Sequence, residues 1–531
     1  MAGPTRFIKW FYLVLALVAV LASSVLHGPL VAMRDQWTYR PALESFPPSL
    51  VLGTQMLGSF RGMLVLGLWL RAAELQEQGR YYELVQLYDW ITTLEPRLES
   101  VWVYAAWNQA YNIPVAFPAE NPEERWRWVM NGVSLLRDRG LVFNPRSYLL
   151  NRQLAWMFFH KIGGTSDEAH RFYKEELARE LHEILGGPTP DYERLAAAPQ
   201  TAHELLADEA VRSLVEQARV ASFDATGRDI AWLNDFSVLP EAVRPIFEAA
   251  KGTPAFASLD AFLRARALEE RWQLDPARVK ALVDKYGPLD FRVPWAHTVY
   301  WATESLEHVK PSENPDHGRR MVYFGLVEIF ETGRLNYYRD EGLVFWTPDV
   351  RFADAAQAEF LRQIGEGAHA KSAHKNWLRN AIVFLYGYAA DKEKAAAFYE
   401  QLQEVYPRDD YPVTLEAFVV GEIKKDLDER QYQQVAVYIG GYIRLACYWL
   451  AAGDEELSNQ HLAMGKVFYA LYQEKAPPRL QLVPWKTLLE YSLREVLSVH
   501  AGLPKAVRDR LRALLELPPE EEEPSETEEA E

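Results

Sequence analysis

From Gly58 almost to the C-terminus, long stretches of 3.6-residue apolar periodicity alternate with short turns marked by Gly or Pro. A chain written this way folds as packed helices, because each amphipathic stretch must bury its apolar face against a neighbour. With 531 residues it is several times the usual domain size, so a repeat array or two to three domains are expected. Aromatics make up 13% of the chain, including 17 Trp, while Gly and Pro are modest, which suits a packed protein rather than a disordered one.

The hairpin signal is sharpest in GRYYELVQLYDWITTLEP. Gly79 sits at an inter-helix turn, Tyr81 follows two residues later, and Leu84, Tyr88, Ile91 and the closing Pro96 continue the pattern. This resembles the second half of a tetratricopeptide repeat, with Ala72 at the close-packing position of the preceding helix. Leu84 and Ile91 stand where the family usually has Ala, which implies looser packing. A second unit starts at Glu99, with Trp102 and Ala106 in family positions, and enters NPEERWRWVMNGVSLLRDRG. There Asn121 is the expected cap, Pro122 takes the first turn, Glu123 and Glu124 favour the positive helix end, and Gly140 is the expected stop before Pro145. A third unit pairs SYLLNRQLAWMFFHKIGG with TSDEAHRFYKEELARELHEILGG, where Thr165 and Glu168 have capping-box spacing and Gly186 closes the helix. The pattern returns in NWLRNAIVFLYGYAADKEKAAAFYEQLQEVYP, with Ala395, Tyr399, Leu402 and Pro407 in place. A last pair runs from Leu415 to about Gln473, and a capping helix covers Lys505 to Leu515.

The resemblance implies an all-α fold, a TPR-like α-solenoid of antiparallel helical hairpins. Within 187–364 the repeat signal fades, which reads as an inserted helical subdomain or degenerate repeats. RLNYYRDEGLVFWTPDVRF alternates apolar residues as a strand or hairpin excursion would. YGPLDFRVPWAHTVYWA is similar to a segment of uncharacterised bacterial membrane-anchored repeat proteins, a resemblance that brings no activity with it. The organisation is therefore 1–34 anchor or signal segment, 35–57 connector, 58–186 repeats, 187–364 irregular helical region, 365–515 repeats and capping helix, and 516–531 acidic tail.

Arg6 and Lys9 precede a run from Trp10 to Leu26 that is apolar except for Ser23 and Ser24. One reading is an uncleaved transmembrane anchor ending near Met33, and the other a signal peptide cut after Ala22 or Ser24. The anchor is preferred because apolar character resumes from Leu30 to Met33. Either implies a cytoplasmic N-terminus and an exported body, placing the chain at an inner (plasma) membrane, or in the exported space after cleavage. Phe60 to Leu75 is also apolar, but Arg61 and Arg71 interrupt it too closely for a second span, so it reads as a buried first helix.

The formal charge is -17, and Glu516 with the glutamates from Glu520 to Glu531 supplies nine of those charges. No basic stripe offsets this acidity, so nucleic acid is not an expected partner. Cys447 is the only cysteine, which excludes an intrachain disulfide framework and a cysteine-based metal site.

In the implied solenoid, first helices line a concave face and equivalent positions stack in columns. Alignment of the second and third units places Trp107 with Trp156 and Tyr111 with His160. Such aromatics suit capture of a protein or peptide partner, with Asn108, Asn112 and Arg152 as polar handles. Candidates for other chemistry are weak. His203-Glu204 lacks the second histidine of a zinc-protease helix, His369 and His374 are poorly spaced for a shared metal, and His297 with Glu304 and Asp290 suits a polar network better than acid–base work. Phosphate-loop, dinucleotide and nucleophile-elbow motifs are lacking, and neither cofactor nor metal is expected. The expectation is a membrane-anchored scaffold or adaptor in a bacterial cell envelope. The alternatives are a helical enzyme acting on an envelope polymer and a homo-oligomeric structural component.

Overall fold

The computed structural model describes residues 60–226, 241–338, 342–367, 369–389, 391–407, 410–429, 432–498 and 503–519. The expected anchor or signal segment, the connector and the acidic run from Glu520 lie outside the described residues. Among the described residues the protein is α-helical throughout apart from one two-stranded hairpin. No helix among them is long and apolar enough to cross a membrane. The chain divides into two compact units, residues 1–98 and 99–531.

In the first unit, α1 (Phe60–Glu77) and α2 (Tyr81–Leu94) pack as a hairpin around Gly79, which takes the left-handed φ of +68°. Ala72 and Leu75 are buried with Leu84, Tyr88 and Ile91, and the Trp69 ring lies 6.0 Å from Tyr88. The expected burial of α1 holds on that side only, for Phe60, Met63, Leu64, Leu66 and Leu70 are exposed. A single partner helix covers one face, whereas α1 is apolar around most of its circumference.

The second unit opens with α3 (Glu99–Trp107), α4 (Pro122–Ser134), α5 (Tyr148–Trp156) and α6 (His170–Leu185). Ser147 caps α5 by accepting from Leu150 N at 3.0 Å, and Gly186 ends α6 at φ +80°. Two expected boundaries are corrected. The helix of α4 passes through Gly140 in a wide π turn and stops after Phe143, where Asn144 Nδ2 bonds the Gly140 carbonyl. Helix α6 begins at His170, so Thr165 and Glu168 form no capping box; Asp167, turned inward, accepts from Ala169 N instead.

Next come α7 (Pro254–Trp272), α8 (Pro276–Tyr286), α9 (Pro294–Leu306) and α10 (Asp316–Thr332). Thr253 and Asp275 cap α7 and α8, each with Pro in the first turn. The helices from Ala202 to Trp272 enclose a core of their own, built on Leu205, Val211, Leu214, Val215, Val243, Phe247, Leu259, Phe262 and Leu263. Every residue of α9 from Pro294 to Ala302 is buried, and this helix lies between α5 and α10. Gly325 permits the close approach of α10, because a Cβ there would lie 2.8 Å from Val299 Cγ2. The two segments of the third expected hairpin meet through the turn at Met157–Ile162. Along its length α5 packs chiefly against α9, while α6 packs on the turn that continues α5 and on α4 and α7.

Strands β1 (Arg334–Tyr338) and β2 (Leu343–Thr347) form the antiparallel hairpin, with Asn336 opposite Phe345. Asn336 Nδ2 donates to Thr347 Oγ1 at 3.0 Å, and Phe345 packs edge-on to Trp449 at 5.0 Å. Helices α11 (Ala353–Gly365), α12 (Lys371–Gly387) and α13 (Lys392–Val405) follow, and α12 and α13 form a hairpin with Ala395, Tyr399 and Leu402 buried. His374 ties this region together, its ring nitrogens 2.8 Å from Tyr406 Oη and 2.7 Å from Gln357 Oε1.

Candidate functional site: an aromatic strip on two π turns

Three helices of the second unit widen into π turns, at Asn108–Asn112, Leu135–Gly140 and Met157–Ile162. Ile113 N bonds the Asn108 carbonyl at 3.1 Å and Gly163 N the Phe158 carbonyl at 2.8 Å, each spanning five residues. Such turns are rare, and each rotates the side chains beyond it relative to those before it. The turns continuing α3 and α5 occupy the positions that the alignment of Trp107 with Trp156 equates.

They build a continuous row of rings. Trp107 stacks on Tyr111 at 5.7 Å, Tyr111 faces His160 at 5.8 Å, and His160 stacks on Trp156 at 4.8 Å. The row runs on through Phe159, 6.1 Å from Trp156, to Phe324 of α10, 5.6 Å further. Trp107 is 40% exposed, and the other five rings are half-buried. The row is thus a surface, fixed by ring-to-ring contact across three helices.

Of the polar residues expected beside it, Asn108 is fully buried: its amide donates to the Tyr104 carbonyl at 3.1 Å and its Oδ1 accepts from Asn112 Nδ2 at 2.6 Å. Asn108 therefore supports the turn from within and does not line a groove. Asn112 is half-buried and stays near the row. Arg152 lies over the Tyr148 ring at 5.9 Å, and no ring contact joins it to the row. Sequence reasoning missed Phe159 and Phe324. Phe159 shares the MFFHKIGG segment with His160, but Phe324 is brought in by the packing of α10, which leaves no local signal.

A buried ionic group supports the row. Lys161 Nζ lies 2.5 Å from Asp167 Oδ2 and 5.4 Å from the Tyr111 ring centroid. Arg125 donates to Asp167 Oδ1 at 3.0 Å and to the Phe117 carbonyl at 2.7 Å. The Arg125, Lys161 and Asp167 side chains are 7%, 4% and 3% exposed, so the pairing is shielded from water. Burial alone would raise the Asp167 carboxyl, but the Lys161 ammonium, the Ala169 N–H and the Arg125 guanidinium hold it below the usual carboxylate range. Burial and the neighbouring Lys161 charge push His160 down, so its ring is neutral at pH 7. Burial likewise pushes the Tyr111 phenol up, against the Trp156 side chain.

The weaker candidates are placed apart. His297 is fully buried between Phe158 (4.5 Å) and Trp272 (5.4 Å), and its Nε2 pairs with the Phe291 carbonyl at 2.8 Å. Glu304 is held instead by Arg278 and His308, both at 2.9 Å, and Asp290 by Arg292 at 2.7 Å. These three residues share no pocket chemistry. His203 is exposed on a four-residue helix where Thr201 Oγ1 accepts from Glu204 N and the Glu204 carboxylate from Gln200 N, and exposed His369 does not share the partners of buried His374. Among the described residues no group of three or more His, Cys, Asp or Glu is placed to hold a metal ion. No protein-family model, curated protein or solved structure matches the chain.

Proposed function

We propose that this protein is a TPR-like α-solenoid adaptor, attached to the bacterial inner membrane through its N-terminal segment, that holds a protein or peptide partner of the cell envelope on the aromatic strip. The observation that carries this reading is the row of half-exposed rings from Trp107 to Phe324, which are in contact with one another. Rings fixed by stacking bury much area on a partner and lose little conformational entropy when they do so. The buried Arg125–Asp167–Lys161 group supports the reading, because it braces the turn that carries His160 and so preorganises the surface. The apolar run from Trp10 to Leu26 supports attachment to the membrane.

The test is site-specific photocrosslinking in cells, with a photoreactive phenylalanine analogue in place of Trp107 or Phe159 and, as control, Glu168. The reading expects one protein to crosslink recurrently from both strip positions and not from the control. Equal, diffuse crosslinking from all three would overturn it.

A further inference from the structure

Beyond Phe324 the strip changes chemistry. On α10, Phe324, Glu328 and Glu331 follow at spacings of four and three residues, so they share one helix face. Both carboxylates are half-buried, and among the described residues neither side chain takes part in a hydrogen bond or an ion pair within 4 Å. The cation whose charge acts on Glu328 is Lys174 of α6, which burial pushes down to about 8 and Glu328 partly restores. Its ammonium is already engaged, donating to the Gly164 carbonyl at 2.7 Å and meeting His170 Nδ1 at 3.1 Å. Burial raises both carboxyls, and Glu328 adds to the rise at Glu331. The protein thus keeps an incompletely neutralised carboxylate pair at one end of an aromatic surface, where a second cation would relieve it.

We propose that Glu328 and Glu331 form a cation subsite at the α10 end of the strip, so that the partner segment is an aromatic or apolar stretch flanked at one end by Lys or Arg. The proposal rests on the strip being the docking surface. The rings supply affinity, and the carboxylates fix which way round the segment lies. A guanidinium or ammonium placed between the two carboxylates gains charge-assisted hydrogen bonds that none of the described residues supplies.

A displayed random-peptide library, selected against the full chain in detergent micelles, tests both levels. Three proteins are compared: the natural chain, Trp156→Ala, and the double variant Glu328→Gln/Glu331→Gln, each checked for folding by circular dichroism. The natural chain is expected to enrich aromatic or apolar peptides with a terminal Lys or Arg. The double variant should keep the apolar enrichment, lose the basic one, and bind a synthetic peptide from the natural pool about tenfold more weakly. Equal basic enrichment in both proteins would overturn the cation subsite and leave the strip standing. Enrichment no different from that of Trp156→Ala would overturn the strip as the docking surface, and the subsite with it.

Discussion

The rings of Tyr111 and His160 lie 5.8 Å apart, each carried on its own π turn, and they join two helices of the second unit into one surface. His160 leans in turn on Trp156, stacked at 4.8 Å. Trp156→Ala removes that support while leaving the helix intact. Retention of a strip-binding peptide is expected to fall about tenfold or more, as for a central aromatic anchor. Fluorescence anisotropy measures the loss, and a melting curve near that of the natural protein shows that it is not unfolding.

Asp167 is the buried carboxylate that pairs with both Lys161 and Arg125. Asp167→Asn leaves Lys161 and Arg125 without their shared buried counter-charge and is expected to cost about 3–5 kcal/mol. Glu168, 75% exposed and 3.5 Å from Arg125, is the contrast: Glu168→Gln should stay within about 0.5 kcal/mol. Urea denaturation of both variants checks the difference.

Gly132 of α4 lies so close to α3 that a Cβ would sit 2.6 Å from the Ala106 carbonyl oxygen. Because that neighbour is backbone, Gly132→Ala is expected to destabilise by about 1–3 kcal/mol. At Gly67 of α1 nothing lies within 4 Å, so Gly67→Ala should stabilise by up to about 1 kcal/mol through helix propensity alone. Opposite shifts in melting temperature are the expected outcome.

Besides His160, four histidines are held neutral by burial. His297 is pushed down to about 3, and His170, His374 and His461 to about 4. Below the ordinary histidine value of 6.5 the unfolded chain takes protons that the folded chain refuses, so stability is full above pH 7 and is lost as pH falls towards 4. Each unit of depression is worth about 1.4 kcal/mol, and the sites act together. Thermal melts between pH 4 and 8 should show a steep acid limb, and a flat profile would contradict the burial of these rings.

Glu331 acts in the opposite direction. Burial and Glu328 push its carboxyl up to about 7, so the folded protein favours the protonated form and loses stability as pH rises from about 4.5 through 7. Glu331→Gln mimics the protonated form and is expected to stabilise the protein by about 1–3 kcal/mol at pH 8, and hardly at all at pH 4. Melts of the variant at the two pH values provide the check.

The hairpin around Gly79 was legible because its signals are local: a glycine able to take positive φ, an apolar stripe on each side, and Ala72 where two helices touch. The same holds for α12 with α13, and the β1–β2 hairpin was legible as alternation. The pairing of Trp107 with Trp156 and of Tyr111 with His160 could also be proposed from spacing. It is the π turns, at equivalent places in α3 and α5, that bring these rings into contact.

Other features depended on packing between distant segments. Nothing near SYLLNRQLAW indicates that α9 rather than α6 lies along it, since an apolar stripe records that a face is buried and not which helix buries it. Likewise Asn108 reads as a surface amide until the turn encloses it, and Phe324 joins the strip only when Gly325 lets α10 close on α9. The sequence by itself determined that this protein is helical and where many of its helices begin and end, because periodicity and caps act within a few residues. Only the tertiary structure decided which helices are neighbours, which rings form one surface, and which charges are left incompletely matched. Those outcomes depend on contacts between residues far apart in the chain.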